Sequence, residues 1–411
     1  MSRSGPFRTP RRSYALALLV LFAGACGKES SSGGPSGGSG ASGAGTNAKS
    51  ESAASSASTI LIGEYGSMTG SEANFGRSTH NGLMLAVEEQ NALGGIKGKK
   101  IEVHSLDDRG SGQEVGTVVT RLIQNDKVLA LIGEVASSLS ITGGEIAQKN
   151  HVPMISPSST NPHVTQIGDM IFRVCFLDDF QGYVDAKFLR ENLKVTRAAT
   201  LYDQGQSYSK GLSQYFTKSF KEMGGTITTE QAYTGGDQDF SAQLTTIRGS
   251  NPEAIFIPGY YTDAANIAIQ VRKLGIKVPL MGGDGWDSPQ LAEIGKDAIE
   301  GAYYSNHYTH EDPNPVVQKF VKGYKEKNNG LLPDGIAALG YDATRLLFDA
   351  MQRSSSYDGR SLAAAIAATK DFQGVTGMIS IDAGRNAKKS AVVVQMKGGI
   401  PHLAATIAPV Q

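Results

Sequence analysis

The sequence predicts an α/β fold made of two doubly wound units in tandem. Short β-branched runs alternate with longer helical patterns from Thr59 onward, and the alternation starts again near Ala198. Apolar residues make up 40% of the 411 positions, enough to fill the cores such units need and too many for a disordered chain. A chain of this length favours two domains over one.

Residues 59–63 read as a strand, and 76–91 as a helix whose Leu83, Ala86, Val87 and Gln90 share one stripe. A glycine-rich turn at 93–98 leads to a strand at 100–105. A helix (113–125), a strand (128–133), a helix (138–150) and a strand (152–156) follow. That βαβαβαβ order calls for a mostly parallel sheet with helices on both faces. Residues 170–176 are an apolar run with strand character. It contains Cys175, the only cysteine besides Cys26, and a buried structural thiol is expected there. The second series is strand 198–202, helix 208–223, strand 226–231, helix 240–248, strand 254–258, helix 262–274 and strand 278–281. Residues 313–369 read as largely helical, with late strands at 379–381 and 391–395.

The chain carries 39 basic and 39 acidic side chains, a balance that does not suggest a nucleic-acid partner. Four of the basic ones, Arg3, Arg8, Arg11 and Arg12, precede an apolar run at 14–23 and the small residues Gly24 and Ala25. A run of about a dozen residues is short for a ~30 Å hydrocarbon core and fits the central region of an export signal, here 1–25. Ala23-Gly24-Ala25-Cys26 looks like a bacterial lipobox with alanine where leucine is usual, which makes Cys26 the expected lipidation site. Without its first 25 residues the chain counts 35 basic against 39 acidic groups. Residues 26–58 are dominated by Gly, Ser and Ala and read as a flexible tether with a reach on the order of 30 Å.

In open α/β sheets ligands bind beyond the carboxyl ends of strands. Ser137 and Ser138 follow one predicted strand, and Ser156, Pro157, Ser158, Ser159 and Thr160 end another. Hydroxyls beside unpaired N–H groups suit a carboxylate, though the same residues serve as helix caps and turn formers. In the second unit Gly259, Tyr260 and Tyr261 follow one strand, and Gly282, Gly283, Asp284, Gly285 and Trp286 another. A carboxylate among glycines and aromatics can face a ligand cation, and Asp284 equally reads as a turn residue. His307, His310, Glu311 and Asp312 are crowded as metal ligands can be, but an exposed polar loop is the expectation. No phosphate loop, Cys-x-x-Cys or His-Glu-x-x-His motif is found, and no Gly-x-Ser-x-Gly elbow joins a strand to a helix, so a hydrolase reading lacks a recognisable nucleophile. No cofactor and no metal are expected.

An ordered series of segments resembles the leucine/isoleucine/valine-binding protein family, the type I periplasmic binding proteins of ATP-driven amino-acid importers. The series includes Met68-Thr69-Gly70, Asn74-Phe75-Gly76, 91–98, Asp107-Asp108, 132–138, 155–160, 207–211, Asp239-Phe240, Gly259-Tyr260 and 281–285. The resemblance implies two Rossmann-like lobes closing like a clamp about a three-segment hinge, 59–177 with 306–383 and 178–305 with 384–411. It places Ser137, Ser158 (through its carbonyl) and Thr160 on an amino-acid ligand, and Asp284, with Tyr208 and Tyr260, against the ammonium. Phe75 stands where relatives often have Tyr, and Asp284 where the best-known members have Glu. Trp286 either narrows the side-chain pocket or braces its loop. The implied protein is a monomeric, extracytoplasmic, lipid-anchored binding protein that serves a membrane permease with a cytoplasmic ATPase. A ligand sensor, or a binder of an amide, urea or aromatic acid, is the other reading this fold allows.

Overall fold

A strand covered by helices on both faces is buried on both faces, and β1 (Thr59–Gly66) meets that rule over its C-terminal part, with every residue from Ile62 to Gly66 buried. The computed structural model describes residues 59–409, so the expected signal (1–25), the tether (26–58) and Cys26 lie outside the described residues. With β2 (Lys100–Asp107), β3 (Leu131–Ile132), β4 (Met154–Ser156) and β5 (Ile171–Arg173), β1 forms a parallel sheet in the order β2-β1-β3-β4-β5.

A second sheet contains β6 (Arg197–Asp203), β7 (Thr226–Tyr233), β8 (Ala254–Phe256), β9 (Leu280–Gly282), β10 (Tyr303–Asn306), β13 (Ala391–Lys397) and β14 (Ile400–Ile407). Its order is β14-β13-β10-β9-β8-β6-β7. The five strands from β7 to β10 are parallel and repeat the winding of the first sheet, whereas β13 and β14 add an antiparallel edge. Both sheets therefore reverse winding beside their first strand, between β1 and β3 and between β6 and β8. Of the predicted strand at 379–381 only Ile379 is in a strand, at the end of a separate hairpin of β11 (Phe372–Gly374) and β12 (Gly377–Ile379), while Ile381 makes an isolated bridge with Ala387.

The helices are amphipathic where they cover a sheet. In α2 (Gly112–Gln124) the buried residues Val115, Val118, Val119, Leu122 and Ile123 fall on one face. The other helices of the first series are α1 (Ala73–Ala92), α3 (Ser137–Lys149) and the short α4 (His163–Gln166). The second has α5 (Asp178–Lys187), α6 (Ser207–Glu222), α7 (Ser241–Gly249), α8 (Tyr261–Lys273) and α9 (Pro289–Gly295). Last come α10 (Pro315–Lys327), α11 (Gly335–Arg353) and α12 (Gly359–Ala367). Asn314, Asp334 and Asp358 cap these three through side-chain oxygens that accept from Val316, Ala337 and Ser361 N–H.

The two units are not simply in tandem. After β10 the chain returns to the first sheet, where α10 and α11 pack on α1, then leaves again to supply β13 and β14 to the second. The chain thus passes between the sheets three times, after β5, after β10 and before β13. Helix α5, absent from the sequence reading, packs on α6 of the second sheet.

Candidate functional site

The switch points bring the carboxyl ends of both sheets together. Ser137 is the first residue of α3, just beyond β3, and Ser158 lies in the turn after β4. Tyr208 sits in the first turn of α6, Tyr260 immediately precedes α8, and Asp284 opens a short 3-10 turn after β9. With Phe75 from the first turn of α1, these six predicted residues line one small cavity, joined by Val135, Gly285 and Ile336. Thr160 is not among the lining residues; its backbone carbonyl accepts from Asp178 N–H, and its hydroxyl is buried without a partner. The open volume is about 10 Å³, room for one water at most.

Asp284 is the best-connected group there. Its Oδ1 accepts from the Tyr208 hydroxyl (2.9 Å) and from Gln181 Nε2 (2.9 Å), while Oδ2 lies 2.8 Å from His307 Nε2. Tyr208 also accepts from Gly285 N–H at 3.1 Å, which ties the carboxylate to its own turn. Burial, and then the charge of Asp284, pushes the Tyr208 phenol well above its ordinary value, so it remains a donor. Burial pushes His307 down to about 4, which leaves the ring neutral at pH 7. None of the three donors to Asp284 brings a positive charge. Gln181 lies within α5 and His307 directly follows β10, two elements the sequence reading had not assigned, so Gln181 went unnoticed and His307 was read only as part of a polar loop.

The rest of the wall is aromatic or hydroxylic. Tyr208 and Tyr260 stack in parallel with centroids 5.4 Å apart, and Phe75 meets Tyr260 edge-on at 5.5 Å. The Tyr260 and Ser158 hydroxyls are buried with no hydrogen-bond partner among the described residues. Ser137 Oγ accepts from Asn161 N–H at 3.3 Å. Ser156 and Ser159, which the sequence also offered, turn away to hold the loop: Ser156 Oγ donates to the Glu134 carbonyl (2.7 Å), and Ser159 Oγ lies 2.7 Å from Ser140 Oγ. Fully buried Arg173 binds the carbonyls of Ser159 and Asn161 from behind.

Trp286 braces rather than narrows. Its indole N–H donates to the Ile257 carbonyl at 3.0 Å, and its ring lies so close to Gly282 that a Cβ there would come within 2.2 Å. Cys175 is buried, its thiol pushed up to about 12 by burial, and Sγ lies 3.3 Å from the Ser159 carbonyl. The crowded segment at 307–312 is not one exposed loop. His307 is buried against Phe176, while Glu311 pairs with His402 at 2.7 Å. Among the described residues no group of three or more His, Cys, Asp or Glu is arranged to hold a metal.

The family model described as "Periplasmic binding protein" matches residues 59–400. The Leu/Ile/Val-binding protein homolog 2 of Brucella abortus is 32% identical over 327 residues, 79% of this chain and 86% of that protein. A leucine binding protein from Thermotoga maritima superposes with a TM-score of 0.82 at 42% identity, covering 85% of this chain and 99% of the other. The branched-chain amino acid transporter substrate binding protein from Streptococcus pneumoniae, solved in complex with isoleucine, gives 0.80 at 34% identity over 86% and 99%. The chain belongs to the periplasmic binding protein family, in its leucine/isoleucine/valine-binding group, whose members are solute-binding proteins of ABC transporters and not enzymes.

Proposed function

We propose that this protein is the extracytoplasmic binding component of an ABC importer, holding an aliphatic L-amino acid between two lobes and delivering it to a membrane permease. The lobes are 59–177 with 306–383 and 178–305 with 384–411. A diacylglycerol on Cys26 and the 26–58 tether keep the monomeric domain at the membrane after removal of 1–25. Asp284 receives the α-ammonium, with Tyr208 and Tyr260 covering it and the Ser158 carbonyl facing it, while Ser137 receives the α-carboxylate; Phe75, Val135 and Ile336 meet the aliphatic side chain.

The observation that carries this reading is the Asp284 carboxylate, buried in an aromatic and aliphatic cavity and held by three neutral donors. A ligand ammonium is the missing counter-charge. With the charge partners on different lobes, a zwitterion binds the closed form better than the open one, and only such a difference can drive closure. The names of the relatives, which bind leucine, isoleucine and valine, agree with the apolar lining.

Thermal unfolding of residues 58–411 against all the amino acids, urea, short amides and aromatic acids tests it. A ligand at about 100 times its Kd adds about 2.7 kcal/mol to stability, a readable rise in Tm. Leucine, isoleucine or valine should raise Tm, and Asp284→Ala should weaken binding by roughly 2–5 kcal/mol because the ammonium is left unpaired. A shift confined to amides or aromatic acids, or an Asp284→Ala variant that binds as the parent does, would overturn the ligand assignment.

A further inference from the structure

We infer that His307 is a positioning residue for ligand capture: it donates Nε2–H to Asp284 and, stacked on Phe176, aims that carboxylate at the cavity without bringing a charge of its own. The inference rests on the reading of Asp284 as the ammonium partner and assigns that carboxylate its support.

Three features of the ring point the same way. Its side chain has no solvent exposure, and its plane lies 24° from that of Phe176 with centroids 3.7 Å apart, so it has little freedom to turn. Nε2 lies 2.8 Å from Asp284 Oδ2, whereas Nδ1 is buried with no partner among the described residues. A neutral imidazole carries one N–H, and only the Nε2 tautomer places it on an acceptor. Burial, opposed by the contacts with Asp284 and reinforced by the Lys389 charge, keeps the second proton off until about pH 4.

Neutrality matters to the ligand. An imidazolium or a lysine ammonium at this point would pair with Asp284 and cancel the attraction that an incoming α-ammonium feels. A neutral donor fixes the carboxylate and leaves its charge for the ligand. The stack also has a place in the topology: Phe176 follows β5 and His307 follows β10, two of the three points where the chain passes between sheets.

The test is titration calorimetry with L-leucine on the parent, His307→Gln, His307→Phe and Asp284→Asn proteins, each first shown to unfold cooperatively. His307→Phe keeps the stack and loses the donor; affinity should fall about 10- to 100-fold, the range for a hydrogen bond to a charged group. His307→Gln restores a neutral N–H donor and should recover binding to within about threefold. A His307→Phe protein with parental affinity overturns the inference, and so does equal weakening of both variants, which would make the ring a packing element only. If Asp284→Asn itself binds as the parent does, the ammonium reading fails, and this inference with it.

Discussion

Asp107 and Asp108 are neighbours in sequence whose carboxyls move in opposite directions. Burial acts to raise Asp107 as well, but donors from Thr69, Arg109 and Met68 outweigh it and hold that carboxyl below its ordinary value. Asp108 is desolvated more than its hydrogen bonds from Gly110 and Ser67 repay, and rises to about 6. Through Ser67, whose Oγ is 3.0 Å from Asp108 and 2.9 Å from Glu134, it meets a second buried acid, which burial and the Asp108 charge raise to about 8. An acid whose folded value lies above its unfolded one holds more protons in the folded state. Its contribution is complete at low pH and is lost as pH rises through the folded value. Urea unfolding should therefore show stability falling from pH 5 to pH 8, with a shallower fall in Glu134→Gln. Equal slopes in the two proteins would show that Glu134 does not carry the dependence.

At the scale of elements, α1 packs on α11 through glycines that let the two backbones approach. A Cβ on Gly82 would come within 2.0 Å of the Ala337 carbonyl oxygen, and one on Gly340 within 2.7 Å of the Thr79 oxygen. Gly116 in α2 has nothing within 4 Å. Gly82→Ala should destabilise by about 1–3 kcal/mol through overpacking. Gly116→Ala should stabilise by about 0.5–1 kcal/mol, because alanine loses less freedom in a helix. Opposite shifts in the urea midpoint are the expected result; two shifts of the same sign would refute the backbone-approach argument. The periodicity that located α1 and α2 contains both glycines, yet periodicity cannot tell a crossing point from an exposed face.

At the scale of the molecule, the two halves of the cavity are held together by more than the cavity. Asn161 Nδ2 donates to the Ser207 carbonyl (2.9 Å), Ser207 N–H to Ser138 Oγ (3.1 Å), and Thr262 Oγ1 to the Ser71 carbonyl (2.7 Å). With about 10 Å³ of open volume, the cavity admits an amino acid only when these bonds part and the walls move. Because a zwitterion that bridges both walls favours the closed form over the open one, small-angle scattering should give a smaller radius of gyration with saturating leucine than without; an unchanged radius would argue against a clamp.

The sequence by itself determined the class of the fold, the order of nearly all the strands and helices, and the strand ends that line the cavity, because each is written in local periodicity and turn residues. It also contained Ser137, Ser158, Tyr208, Tyr260 and Asp284 as an ordered series. No local pattern told how α10, α11, β13 and β14 divide between the sheets, since helices and strands carry no local mark of the sheet they join; the resemblance implied a division, and the tertiary structure shows where each element goes. Tertiary structure decided that Trp286 braces its loop and that Thr160 stands off the cavity. It also decided that Gln181 and His307, 126 positions apart in the numbering, meet on one carboxylate. Such convergence depends on the path of the chain between two sheets, and no local pattern encodes that path.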